Sequence, residues 1–204
     1  MILNQILDSI DLGLVILDRD FRVRYWNRWL AVHSDIPFKE IKGATIFDFY
    51  PHFRNKKFLR NFRAVVTFGN HYFFPQKLYG YIFPFKPESN FVSEINYMQQ
   101  SCTMGPLRNE KKEIEYVYIS VNDVTEAYIY ETNLASALLT LLEKYVDKEE
   151  IPADEAQSIL DELLPTSSKE VLAKHGKPPK DKDTHTIIGD QLVDILSEIA
   201  GTNR

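Results

Sequence analysis

Residues 12–27 of the chain read Leu-Gly-Leu-Val-Ile-Leu-Asp-Arg-Asp-Phe-Arg-Val-Arg-Tyr-Trp-Asn. The apolar run over 14–17 predicts a buried strand, and the polar residues 18–20 predict a turn. Residues 23–26 predict a second strand. Asn27 then stands where it can cap a helix, because its side-chain oxygen can accept a hydrogen bond from the first helical turn. This stretch therefore predicts a β-hairpin that leads into a helix.

Three more strands are expected further along the chain. Residues 72–82 are rich in tyrosine and phenylalanine, and residues 94–104 and 116–122 show the alternation of half-buried strands. The proline-containing residues 83–91 predict a loop. Residues 55–68 predict a long helix with one apolar face and many basic residues. Two strands, several short helices and three strands in this order predict an antiparallel α+β domain.

The last part of the chain predicts helices outside that domain. A long helix is expected over residues 126–146, and its apolar stripe needs a partner surface. The stripe consists of Tyr130, Leu134, Leu138, Leu141 and Tyr145. Residues 147–204 predict a helical tail with a Lys/Pro-rich linker at 177–183. The apolar face of its last helix would either dock in a groove of a partner or fold back on the same chain. That face consists of Leu192, Ile195, Leu196 and Ile199.

Composition narrows the class of protein. The chain has 204 residues, of which 44% are hydrophobic, so it can bury a sizeable core. The net charge of −5 disfavours nucleic acid as a partner. The single cysteine rules out an intrachain disulfide and fits a reducing compartment. No apolar run approaches the roughly 18 residues of a membrane span, and no secretory signal is apparent, so we expect a cytoplasmic protein.

Six short motifs follow one another in order along residues 6–130. They are Ile6 to Asp18, Val23-Arg-Tyr-Trp-Asn27, His33-Ser-Asp-Ile-Pro with Glu40-Ile-Lys-Gly43, Phe47-Asp-Phe-Tyr-Pro51, Pro106-Leu-Arg-Asn-Glu110 and Asp123-Val-Thr-Glu126. In this order they resemble the motifs of the PAS family of sensory domains. Two features depart from the family pattern. Lys111 and Lys112 stand where a hairpin glycine is common, and the connection over 83–91 is enlarged.

The resemblance implies a five-stranded antiparallel PAS sheet, with short helices on one face that help to enclose a pocket. It places an N-terminal flanking helix at 1–10, the PAS domain at 11–125 and a signalling or dimerisation helix at 126–146. Such domains occur beside histidine kinases and cyclic-dinucleotide enzymes in bacteria. The resemblance therefore implies a homodimer that transmits a signal through its flanking helices.

Nine residues are candidates for lining the pocket. They are Trp26, Asn27, Trp29, Phe58, Phe62, Phe74, Gln100, Cys102 and Met104. Pockets are mostly apolar with a few polar groups, which Asn27, Gln100 and the neighbouring Ser101 would supply. The alternative is that these side chains fill the core. The basic run at 54–63 has two interpretations: it either contacts an anionic partner or forms a solvated helix face.

No tightly bound cofactor is expected, and the identity of any ligand stays open. Haem-binding PAS relatives generally carry the ligating histidine on the long helix, where this chain has none. His71, just after that helix, is the remaining candidate haem ligand, and a histidine in a helix–strand turn is the alternative. The Asn-Cys-Arg-Phe-Leu-Gln motif of flavin-photosensing relatives is missing. We expect Cys102 to behave as a small buried hydrophobe, and we expect no metal site.

Three functional hypotheses follow. The first is a non-catalytic sensory or adaptor protein, whose PAS domain binds a small ligand or a partner and transmits through the flanking helices. The second is a ligand-free PAS dimerisation platform whose C-terminal helices dock a response regulator, a kinase or a cyclic-dinucleotide enzyme. The third is an enzyme, but the sequence has no phosphate-binding glycine loop, no Cys-x-x-Cys and no Gly-x-Ser-x-Gly motif.

Overall fold

A computed structural model describes residues 2–87 and 95–147, together with positions 151, 152, 154, 156, 158 and 159. The chain divides into two compact units, residues 1–125 and 126–204. The helices are α1 (Ile2–Ser9), α2 (Arg28–Ser34), α3 (Phe38–Ile41), α4 (Ile46–Phe49), a 3₁₀ turn (Pro51–Arg54), α5 (Lys56–Phe68), α6 (Gln76–Tyr79) and α7 (Thr125–Asp147). The strands are β1 (Gly13–Asp18), β2 (Val23–Trp26), β3 (Tyr72–Phe74), β4 (Gln100–Arg108) and β5 (Ile114–Asp123).

The five strands form one sheet in the order β2-β1-β5-β4-β3, and every neighbouring pair is antiparallel. The predicted antiparallel α+β fold is therefore confirmed. Val15 pairs with both Trp26 and Ile119, and Ile119 also pairs with Met104. Because residues opposite one another project to the same face, these four side chains share the inner face of the sheet, where all are buried. The predicted alternation of β4 and β5 is confirmed by this burial.

Polar side chains form the two hairpin turns. In the first turn, the Asp18 carboxylate accepts hydrogen bonds of 2.9 Å from the backbone N–H groups of Asp20 and Arg22. In the second, the Asn109 side chain accepts bonds of 3.0 Å from Lys111 N–H and Glu113 N–H. Lys112 lies there at φ +64°, in the left-handed region that favours glycine.

The expected strand over residues 72–82 is wrong beyond its first three residues. Only Tyr72–Phe74 pairs with β4, because Pro75 has no N–H group to donate and starts the short helix α6 instead. Gly80, at φ +68°, ends that helix. The expected strand over 94–104 begins only at Gln100, and residues 88–94 lie outside the described part of the chain.

One apolar face of α5 packs into the core of the first unit. Phe58, Phe62 and Val65 are buried there, as their spacing predicts. Asn55 caps the helix by accepting a hydrogen bond of 2.8 Å from Phe58 N–H, and Gly69, at φ +73°, ends it. The core therefore lies between the inner face of the sheet and the helices of residues 28–68.

The second unit contains most of α7. Ala135, Leu138 and Leu142 are buried along one side of this helix and cluster with Ala156. Among the described residues, no helix is both long and apolar enough to cross a membrane.

Candidate functional site

The structure brings the predicted pocket residues together. Seven of them belong to one apolar cluster of buried side chains: Trp26, Trp29, Phe58, Phe62, Phe74, Cys102 and Met104. The other two, Asn27 and Gln100, are 0% and 1% exposed. The neighbouring Ser101 is exposed, because it alternates with Gln100 and Cys102 and lies on the outer face of the sheet. It therefore supplies no polar group to the interior.

The Asn27 side chain is fully occupied by hydrogen bonds within the protein. Its oxygen accepts bonds of 3.0 Å from Leu14 N–H and 3.2 Å from Leu30 N–H. Its nitrogen donates bonds of 3.1 Å to the Leu7 carbonyl and 2.7 Å to the Leu12 carbonyl. Asn27 thus caps α2, as predicted, and also fastens α1 to the first strand, which leaves none of its polar atoms for a ligand.

Gln100 holds the enlarged connection against the core. Its side-chain oxygen accepts bonds from Ile82 N–H at 3.1 Å and Phe83 N–H at 3.0 Å, and its nitrogen donates to the Phe83 carbonyl at 2.8 Å. Met98 N–H adds a bond of 2.9 Å to the Phe85 carbonyl. A loop that sequence alone would place at the surface is therefore fixed to the protein interior.

Aromatic rings fill much of that interior. The Phe83 ring lies 5.0 Å from Tyr50, 5.1 Å from Phe53 and 5.9 Å from Trp26, measured between ring centroids. Burial raises the pKa of Tyr50 to about 12, so its hydroxyl stays protonated at neutral pH. The buried Trp26 Nε1 has no hydrogen-bond partner in the described structure, so one donor in this interior remains free.

His71 lies outside the interior, and Trp29 makes contacts at its edge. His71 is exposed and its ring lies 6.1 Å from that of Tyr118, on the outer face of the sheet. That position is on the opposite side of the sheet from the apolar core, so His71 does not fit an axial ligand for a haem bound there. Trp29 stacks on His33 at 3.8 Å and donates a bond of 2.9 Å from Nε1 to Asp11 Oδ1.

The Cys102 thiol is 2% exposed on the inner face of β4. Burial raises its pKa from the ordinary 9.0 to about 12. At pH 8 its thiolate fraction is therefore roughly a thousandfold below that of an exposed thiol. Cys102 sits in the core as the small hydrophobe that the sequence predicts.

We expect Cys102 to react with iodoacetamide at pH 8 at least about a hundredfold more slowly in the folded protein than in urea. The single cysteine makes the measurement unambiguous by mass spectrometry. The stabilisation that comes from keeping the Cys102 thiol buried and protonated should be present below pH 9. It should be lost as the pH rises toward 12, because the thiol ionises first in the unfolded chain. Equal alkylation rates in the two states would contradict this placement.

A polar cluster that the sequence analysis missed joins α5 to β3 and α6. We call it the α5 cluster, and its members are Lys57, Asn61, Tyr72 and Tyr79. The hydroxyls of Tyr72 and Tyr79 lie 2.7 Å apart, and the Lys57 ammonium lies 4.2 Å from the centroid of the Tyr79 ring. Asn61 is 5% exposed, and its Nδ2 has no hydrogen-bond partner in the described structure. The spacing of Asn61 from Phe58 and Val65 is the signal that could have revealed its burial.

A separate cleft of about 380 Å³ lies between the two hairpin turns. Its walls carry both signs of charge, including Asp18, Arg19, Arg24 and Glu113. Arg24 forms an ion pair of 2.8 Å with Asp18, and Arg19 Nε donates a bond of 3.0 Å to the Ile114 carbonyl. These arginines therefore brace the turns. No group of three or more His, Cys, Asp or Glu side chains within the described residues is placed to hold a metal.

The flanking helices expose apolar side chains. On α7, Tyr130 is 61% and Leu134 is 46% exposed, whereas Leu138 of the same predicted stripe is buried within the second unit. Leu141 and Tyr145 are half-buried. On α1, Ile2 is 73% and Ile6 is 51% exposed. The predicted docking face of the tail lies outside the described residues; its members are Leu192, Ile195, Leu196 and Ile199.

Comparison with known proteins agrees with this architecture. The family model described as the PAS fold matches residues 7–129, more than half of the chain. The chain therefore belongs to the PAS family, and it contains a PAS domain of the kind that serves as a sensor in signal-transduction proteins. No curated protein sequence matches the chain significantly.

Several solved structures are similar to it. A sensory box sensor histidine kinase from Vibrio cholerae is 18% identical with a TM-score of 0.43, covering 61% of this chain and 90% of that one. The PAS domain of Bordetella pertussis BvgS is 13% identical with a TM-score of 0.46, covering 73% and 95%. The PAS domain of nitrogen regulation protein NR(II) from Vibrio parahaemolyticus is 12% identical with a TM-score of 0.40, covering 60% and 98%.

Proposed function

We propose that this chain is a non-catalytic sensory or adaptor protein of bacterial signal transduction that dimerises and transmits its signal through α1 and α7. The proposal depends mainly on the apolar side chains that these two helices expose, Ile2 and Ile6 on α1 and Tyr130 and Leu134 on α7. Exposed apolar residues that recur every four positions on a helix form a stripe that a second helix can cover. A signal would then shift the population between two packings of the flanking helices.

The Asn27 hydrogen bonds support a role for α1 in this transmission. They connect the Leu7 carbonyl of α1 to the start of β1 and to the first turn of α2. A change in the sheet or in α2 would therefore reach α1 through one side chain. The downstream partner, in this proposal, is a response regulator, a kinase or a cyclic-dinucleotide enzyme.

We expect Leu134→Asp to weaken self-association at least about tenfold, because a charge would enter an apolar interface. Sedimentation equilibrium of the full chain over a range of concentrations measures the effect. Asn133→Asp is the matched control, since it adds the same charge at an exposed neighbouring position of the same helix. Ile6→Asp should weaken association in the same way through α1. A monomeric wild-type chain, or dimers that neither Leu134→Asp nor Ile6→Asp weakens, would contradict the proposal.

The second candidate is a ligand-free dimerisation platform whose C-terminal helices dock the partner. The aromatic interior favours it, because the side-chain oxygen and nitrogen of both Asn27 and Gln100 already form hydrogen bonds within the protein. Both candidate functions require a dimer, and they differ in whether the PAS domain binds a small molecule.

A further inference from the structure

A short segment that follows α7 covers one side of that helix. We call this segment the strap, and its described members are Ile151, Pro152, Asp154, Ala156, Ser158 and Ile159. Ala156 is 6% exposed and clusters with the buried Leu138 of α7, and Ile151 and Ile159 pack against the same cluster. Ala156 N–H donates a bond of 3.0 Å to the Pro152 carbonyl, four residues earlier, as in a helical turn. The strap is therefore helical at this point and turns its apolar residues toward α7.

The strap covers part of an apolar seam on α7. The seam consists of Leu134, Leu138, Leu141 and Tyr145, whose spacings of four, three and four residues match the a and d positions of a coiled coil. A second helix with the same spacing fits such a seam. Leu134 is 46% exposed, whereas Leu138, one turn further along, is 3% exposed in the cluster with Ala156. The strap therefore occupies space at Leu138 that a second helix would need.

The contact that holds the strap is small and apolar. Its buried residue is an alanine, and its two isoleucines are partly buried. In a parallel pair of α7 helices, Leu138 of one copy would instead meet Leu138 of the other. Because the stabilisation from burial grows with the apolar area removed from water, a leucine at this place stabilises more than an alanine does. A second copy can therefore compete with the strap for this part of the seam.

We propose that the strap is an autoinhibitory element that limits the pairing of α7 with α7 of a second copy. With the strap closed, Tyr130 and Leu134 are the most exposed large apolar residues of α7. With the strap released, the helix contact extends along the seam to Leu138. A second copy is the occupant because the covered part of the seam continues the exposed part, and because identical helices supply identical spacings. The inference rests on that part of the proposed function which places the dimer contact on α7.

Sedimentation equilibrium of the full chain, in the wild type and in variants, tests the strap. Ala156→Asp places a charge in the apolar cluster and should release the strap, because a buried charge without a partner is unfavourable. We expect this variant to tighten self-association at least about tenfold. Ile159→Asp should act in the same direction. Ser158→Asp adds the same charge at an exposed position of the strap and should change the dissociation constant less than about twofold.

Combining Ala156→Asp with Leu134→Asp identifies the surface that the released strap uncovers. Leu134→Asp should cancel the gain in association, because position 134 lies in the same seam as Leu138. Circular dichroism shows whether each variant keeps its helices. Ile159 is partly buried, so its variant stays informative if Ala156→Asp fails to fold.

The strap is refuted if folded Ala156→Asp and Ile159→Asp associate no more tightly than the wild-type chain. It is also refuted if Ser158→Asp tightens association equally, or if Leu134→Asp leaves the gain in place. A wild-type dimer that Leu134→Asp weakens and the strap variants leave unchanged would remove the strap and keep the proposed function. A wild-type monomer that Ala156→Asp converts to a dimer would contradict the proposed wild-type dimer and support the strap.

Discussion

Replacing Asn27 with alanine should destabilise the PAS domain by about 3–5 kcal/mol. Loss of a helix cap costs about 1 kcal/mol, and each buried backbone group left without a partner costs about 1–3 kcal/mol more. Alanine at this position would unpair Leu14 N–H and Leu30 N–H together with the Leu7 and Leu12 carbonyls. Urea unfolding followed by circular dichroism measures the loss.

Asn55→Ala is the matched control for Asn27→Ala. Asn55 is also an N-cap asparagine, but it is exposed, and its side chain accepts one capping bond, from Phe58 N–H. We therefore expect Asn55→Ala to cost about 1 kcal/mol. Similar losses in the two variants would show that Asn27 acts as a helix cap alone and does not fasten α1. Hydrogen exchange adds a local readout, because the amides of α1 should lose protection in Asn27→Ala and keep it in Asn55→Ala.

The sheet could be predicted because its pattern is local. The alternation in β5, the turn residues after β1 and the cap at Asn27 each depend on neighbours within a few residues. The connection after β3 could not be predicted in this way. Phe83 is held by Gln100, 17 residues away, and it packs on Trp26 and Tyr50 from elements much earlier in the chain. Tertiary contacts of this kind override the composition of a proline-containing segment.

The candidate site, too, could be predicted only where its pattern is local. Periodicity identified Phe58, Gln100 and Met104 as inner-face residues, and all three are buried. It could not show that the polar atoms of Gln100 are paired with a loop, because that loop meets the strand only in the folded structure. The α5 cluster was missed because its members come from two helices and a strand, and because Tyr79 follows a proline that converts an expected strand into a helix.

Phe83→Ala is the second substitution for which we expect a large effect. It should lower the free energy of unfolding by about 3–5 kcal/mol. The side chain is 0% exposed and contacts four other aromatic rings, so truncation would leave a cavity that rigid neighbours cannot fill. Phe83→Leu conserves more of the volume and should cost less, about 1–1.5 kcal/mol. Urea unfolding followed by tryptophan fluorescence suits the test, because the Phe83 ring lies 5.9 Å from that of Trp26.

The control for Phe83→Ala is the same substitution at Phe73. Phe73 lies on β3 but is 64% exposed on the outer face of the sheet, so its truncation should change stability by less than about 1 kcal/mol. The comparison separates two descriptions of the enlarged connection. If Phe83 is part of the core, only Phe83→Ala is severe, and the aromatic interior is filled by a segment that Gln100 anchors. If both variants cost less than about 1 kcal/mol, the segment is a surface loop and the interior has room for a ligand.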